Sequence, residues 1–200
     1  MKLKLSPLIS TIFFALFAPV ASAQQANCTG WVSDNRTVKH VFWESVEVEV
    51  ISTCIKAGAD VNVRTDNVVG FTPLHLAAAK NDNPAVITAL IEAGAGVNAR
   101  TEDGATPLHA AALQNDNPAV ITALIEAGAD VNARTEDGET PLHAAAASTD
   151  SPAVITALMK ARANGATTND DGETPFDLAK ENDAIKGSDA YWALNDARFK

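Results

Sequence analysis

The chain has 200 residues, 15 basic and 25 acidic side chains, a net charge of −10 and two cysteines. A surface this acidic repels nucleic acid and anionic membranes, which excludes polyanion binding as its work. The length suits one good-sized domain.

In chain order, the first predicted element is a leader. Lys2 and Lys4 supply positive charge, "LSPLISTIFFALFAPVA" an apolar stretch, and Ala21–Ala23 a small-x-small cleavage pattern, so residues 1–23 read as a secretory signal peptide. The apolar run is short and holds Pro7 and Pro19, which disfavours a membrane anchor. The expected location is therefore exported, periplasmic or secreted, with no membrane attachment after cleavage. Residues 24–35 form an N-terminal tail. An even pair of cysteines in an exported chain, Cys28 and Cys54, points to a disulfide closing a loop of about 27 residues, worth roughly 3–4 kcal/mol. The other reading is two buried thiols.

From residue 36 the chain repeats itself. "PAVITAL" occurs at 84–90, 118–124 and 152–158, always 34 residues apart. "NDNPAVITALIEAGAGVNARTEDG" (81–104) returns at 115–138 with one change, Gly96 to Asp130. "TPLHLAA" (72–78) returns as "TPLHAAA" at 106–112 and 140–146, and as the altered "TPFDLAK" at 174–180. Each unit starts with a threonine N-cap and a proline at the first helical position (Thr72-Pro73, Thr106-Pro107, Thr140-Pro141). A second helix opens at Asn83-Pro84, carries the apolar stripe Val86, Ile87, Leu90 and Ile91, and stops at Gly94. "VNARTEDG" is a turn-rich return. One such unit has apolar faces toward both neighbours and cannot bury them alone, so the copied string is a packing surface.

These letters resemble the ankyrin repeat, with its T-P-L-H-x-A signature and a period near 33 residues. The resemblance covers residues 36–200 and implies an all-α ankyrin-repeat solenoid of about five repeats with two caps, near 36–69, 70–103, 104–137, 138–171 and 172–200. Residues 45–51, "SVEVEVI", alternate like a strand, yet 50–62 align with 86–98, so they are read as the second helix of an N-terminal cap. Residues 37–45 are its first helix, and Cys54 takes the core position of Leu90, Leu124 and Leu158. At the other end, Arg162 stands where Gly94 and Gly128 stand, and Asp177 where the histidines stand. Tyr191, Trp192 and Phe199 are expected to seal the last core layer.

His75, His109 and His143 recur in register, but adjacent repeats lie roughly 10 Å apart, while ligands sit about 2 Å from a metal. The resemblance implies a structural histidine bonded to its threonine and nearby backbone. "TEDG" and "NDDG" lack a complete calcium loop. No nucleophile elbow, phosphate loop or zinc-protease motif is present. The chain is read as a non-enzyme without metal or cofactor.

What remains is surface. Where packing letters are copied, departures stand out after the turn glycine (Phe71, Ala105, Glu139) and late in the first helix (Ala79-Lys80, Leu113-Gln114, Ala147-Ser148). The first turn is longer, with eight positions from Arg64 to Thr72 against six from Arg100 to Thr106, and its tip carries Val68, Val69 and Phe71. These eleven residues, Val68, Val69, Phe71, Ala79, Lys80, Ala105, Leu113, Gln114, Glu139, Ala147 and Ser148, are the candidate partner-binding set. For Phe71, packing onto the next turn is an equal alternative. Arg64, Arg100 and Arg134 read as a ladder paired with Asp66, Glu102 and Glu136 rather than as an anion track. The expected function is a monomeric, rigid protein-binding scaffold in the periplasm of a Gram-negative bacterium. The alternative is a secreted bacterial or phage effector that acts on eukaryotic host proteins.

Overall fold

In the computed structural model, residues 28, 31, 42–65 and 69–199 are described. The expected leader (1–23), most of the tail (24–35), Asp66 and Val68 lie outside them. Among the described residues there is no strand, and no helix is long and apolar enough to cross a membrane.

The chain is an all-α solenoid. A helical segment at 42–45 precedes α1 (Val48–Lys56). Four further pairs follow: α2 (Pro73–Lys80) with α3 (Pro84–Glu92), α4 (Pro107–Gln114) with α5 (Pro118–Glu126), α6 (Pro141–Ser148) with α7 (Pro152–Lys160), and α8 (Pro175–Ala179) with α9 (Asp189–Ala197). The first helices form one layer, α2 on α4 on α6 on α8. The second helices form another, α1 on α3 on α5 on α7 on α9. The alternation at 45–51 did not make a strand: α1 is helical with Ile51 and Cys54 buried, because the neighbour α3 offers a helix surface.

Each "PAVITAL" helix buries the same three positions: Val86, Ile87 and Leu90, then Val120, Ile121 and Leu124, then Val154, Ile155 and Leu158, all with no exposure. The first helices bury Leu74, Leu108 and Leu142 together with runs of alanine, whose small side chains let helices approach closely. At roughly 1.5–3 kcal/mol for each fully buried large aliphatic side chain, these layers supply most of the cohesion.

Cys28 and Cys54 form a disulfide, with Cα atoms 5.4 Å apart. It ties the segment before the first repeat over α1. Trp31, which no sequence pattern singles out, is buried there. Its ring lies 5.5 Å from that of Trp43, and its indole N–H donates to the Asp60 carbonyl at 2.9 Å.

The other end is less closed than the sequence suggests. Tyr191 is half-buried against Phe176, with ring centroids 5.0 Å apart, but Trp192 and Phe199 are exposed. The reason is helical phase. Ala190, Leu194 and Ala197 take the inner side of α9, Trp192 projects from the opposite side, and Phe199 lies in the turn after the helix end.

The second helices α3, α5 and α7 end in a left-handed residue that lets the next N–H reach back into the helix. Ala95 donates to Leu90 O and Ala163 donates to Leu158 O. That residue is Gly94 (φ 96°) and Gly128 (φ 93°) in the inner copies, but Arg162 (φ 67°) in the fourth. Arg162 keeps the motif at the cost of a crowded Cβ. Replacing it, Arg162→Gly, is expected to stabilise the fold by about 1 kcal/mol. A urea titration with unchanged slope and a raised midpoint is the check.

Candidate protein-binding face

The face is built from the turns and the first helices. Each turn is closed by one backbone bond: Thr65 N–H to Phe71 O, Thr101 to Ala105, Thr135 to Glu139 and Asn169 to Glu173, at 2.9–3.0 Å. The tips are also joined to one another. Glu102 N–H donates to Val69 O, Glu136 to Asp103 O and Asp170 to Asp137 O. The result is a backbone-bonded row of fingers. Gly138 shows why glycine recurs at the bend: its φ is 75°, and a Cβ there would meet Arg134 Nη2 at 2.5 Å and Asp170 Oδ1 at 2.6 Å.

The histidines lock fingers to helices. His75 Nδ1 accepts the Thr72 backbone N–H at 3.2 Å and lies 2.8 Å from its hydroxyl. With Nδ1 accepting, the proton sits on Nε2, which donates to Ala105 O in the next repeat at 3.2 Å. His109 reaches Glu139 O and His143 reaches Glu173 O in the same way, both at 3.1 Å. The histidine is thus both a cap and a bridge. In the last unit Asp177 keeps only the cap: its Oδ2 accepts the Thr174 N–H and hydroxyl, and its other oxygen accepts Lys180 Nζ at 2.6 Å. Those bonds hold its carboxyl well below the ordinary carboxylate range, Lys180 first.

The arginines do similar work. Arg64 Nη2 donates to Arg100 O (2.6 Å), Arg100 Nη1 to Arg134 O (2.8 Å) and Arg134 Nη2 to Thr168 O (2.9 Å). Their carboxylate partners are longer: Arg64–Glu102 at 3.7 Å and Arg134–Asp170 at 3.9 Å. Of the carboxylates expected to pair with the ladder, Glu102 pairs with Arg64 and Asp66 lies outside the described residues, while Arg134 meets Asp170; the shorter bonds run onto the following repeat's backbone. The carbonyl bonds give the three arginines a structural role in joining repeats.

Sequence reading missed a further polar ladder. Asn62, Asn98 and Asn132 each donate an amide N–H to the next repeat (Gly94 O, Gly128 O, Arg162 O) and accept the backbone N–H of Gly96, Asp130 or Asn164. Asn81 and Asn115 reach the other way, each to two carbonyls of the preceding unit. The signal was present as copied asparagines in "VN" and "NDNP", a residue type that also serves turns and helix caps.

Among the candidate partner residues the structure makes distinctions. Leu113 (43% exposed), Gln114, Ala147 and Ser148 form an exposed patch at the late ends of neighbouring helices α4 and α6. Ala105, Glu139 and Lys80 are half-buried. Ala79 is a correction: at 8% exposure it is core, because Asn81 bonds Trp43 O and Val46 O and draws the first segment against the end of α2. Phe71 is half-buried with its ring centroid 5.9 Å from that of His75, so it packs on its own repeat. Val69 is half-buried and its carbonyl serves the row of fingertips. Burial pushes the Glu139 carboxyl up, helped by Asp137, Asp171 and Glu173. The fingertips of the later repeats are thus a crowded acidic edge.

A family model described as "Ankyrin repeats (3 copies)" matches residues 40–135 and again 111–190. The chain is an ankyrin-repeat protein. The family is an interaction scaffold rather than a catalytic one, and its repeats imply a protein partner. A search of curated proteins gives no match.

The ankyrin histidines also set a pH dependence. Burial lowers all three, His75 to about 4, while an unfolded histidine titrates near ~6.5. Above that value both states are neutral. Below it the unfolded chain takes protons that the folded chain refuses, so stability is lost as pH falls from ~6.5 toward 4. His75 alone contributes a loss of about 2 kcal/mol by pH 5. Urea midpoints at pH 7.5 and 5 should show the fall, and His75→Gln should shrink it while lowering stability at pH 7.5.

Proposed function

We propose that this ankyrin-repeat protein is an exported scaffold that binds a protein partner on its finger-and-first-helix face, in the periplasm. The observation that carries the reading is the departure of surface from copying. Letters that stack or staple are repeated almost unchanged, whereas Leu113, Gln114, Ala147 and Ser148 differ between units and are exposed together. On one face, Leu113 at the late end of α4 offers an apolar anchor and the finger residue Glu139 a polar site at the other end of the helix layer. The fixed row of fingers keeps the face ordered before binding, so little entropy is lost on association.

Export is supported by the leader pattern at 1–23 and by the disulfide, which persists in oxidising compartments. The same leader fits the alternative of a secreted effector acting on host proteins. Fractionation of producing cells separates the two, since an effector accumulates in the medium and a periplasmic scaffold does not.

The face is tested by recovering a crosslinked partner and titrating it against variants. Leu113→Ala and Glu139→Gln should each weaken binding by about 1 kcal/mol or more, with helicity and melting temperature kept. Glu126→Ala, on the exposed side of α5, should leave affinity unchanged. The reverse pattern would place the partner on the second-helix layer.

A further inference from the structure

The exposed outer side of α9 is unexplained by the binding face. Trp192 and Phe199 are 55% and 79% exposed, and with Leu113 they are the large hydrophobic residues most open to solvent among the described residues. Trp192 stands on the solvent side of α9, and Phe199 lies in the turn that follows the helix, two residues past Ala197, with its N–H donating to Asp196 O at 3.4 Å. Every inner second helix has a further second helix packed beyond it, and the outer side of α9 is the continuation of that stacking surface.

We propose that a second copy of this chain covers it, the two α9 helices lying antiparallel about a twofold axis. A register centred between Asn195 and Asp196 sets Trp192 against the partner's Phe199 and Phe199 against the partner's Trp192. The same register sets Asn195 opposite the partner's Asp196. Asn195 Oδ1 already accepts Arg198 Nη2 at 2.6 Å, which leaves its amide N–H groups to donate to that carboxylate. One patch therefore complements itself, as a twofold contact requires.

Charge favours a second copy at this place. Residues 180–200 hold Lys180, Lys186, Arg198 and Lys200 against Glu181, Asp183, Asp189 and Asp196, a balance of zero, while the whole chain is at −10. Two copies approaching by the acidic fingertips repel each other, and two approaching by this end do not. The aromatics are also held in place before contact. Tyr191 meets Trp192 edge-on at 5.2 Å, and the Arg198 guanidinium lies 4.5 Å from the Phe176 ring centre and 4.9 Å from that of Phe199. Two aromatics of roughly 150–250 Å² each fall short of the ≈ 800 Å² per partner of a standard interface, so the dimer is reversible and depends on concentration.

Sedimentation equilibrium of the chain as the cell produces it, from about 5 to about 500 μM, tests this. A monomer–dimer equilibrium is expected within that range. Trp192→Ser combined with Phe199→Ser should abolish it with the melting temperature preserved, since both side chains are exposed. Asp196→Lys, a single exposed change, should weaken it at least tenfold and guards against a misfolded double variant. A monomer at every concentration overturns the proposal. So does a dimer that survives these variants, including one lost instead with Leu113→Ser, which would put the contact on the partner-binding face.

Discussion

No repeat of this chain owns a core. Val86, Ile87 and Leu90 are buried between α1 and α5, which flank α3, and against α2 of the same repeat, and the copied stripes of α5 and α7 are enclosed in the same way. This constraint accounts for the strictness of the copying. A surface that must fit the unit before it and the unit after it, when those units are the same shape, is held to one sequence. It also accounts for the freedom elsewhere. Gly96 and Asp130 differ at a joint that uses the backbone N–H of both, and Asp130 adds a local bond, accepting the Asn132 N–H at 3.0 Å.

Hydrophobic stacking alone does not fix how one unit is set on the next. The polar ladders do. Histidine to a finger carbonyl, arginine to the following repeat's backbone, and two asparagine series place directional bonds at every joint. Departures show what each rung does. Asp177 keeps the cap and drops the bridge, because α8 belongs to the last pair in the stack. Thr149, in the place of Asn81 and Asn115, is too short to bond two carbonyls, and its hydroxyl donates to Asp116 at 3.0 Å instead. At the N-terminal end of the stack the disulfide and Trp31 attach to the first repeat, at Cys54 and Asp60. The proposed binding face would rest on the same joints. Fingers held tip to tip and bridged to helices present Leu113 and Glu139 on a frame whose geometry is set before any partner arrives.

The repeat, the helix pairs and the caps were legible in the sequence because threonine-proline starts, glycine stops and a 34-residue register are local signals. The helical reading of 45–51 was legible only by alignment, since its own alternation favours a strand. The bridging half of the histidine's role, and the asparagine ladders, were hidden because they join residues about 30 positions or more apart, and the same letters also make good turns. Ala79 and Leu113 occupy equivalent positions, yet one is core and the other exposed. The difference comes from the segment drawn in by Asn81, which no periodicity encodes. Trp192 misled for a related reason. Its aromatic character suggested core, but the phase of α9 is set by Ala190, Leu194 and Ala197.

The most direct test of this account removes one unit. Deleting residues 104–137 rejoins Asp103 to Gly138, restores the string "TEDG", and presents the Glu139 carbonyl to His75. If cohesion resides in the joints, the shortened chain folds in one cooperative transition with a lower urea midpoint and a smaller slope, having lost one unit and one joint. An unchanged midpoint, or separate transitions for separate repeats, would contradict it.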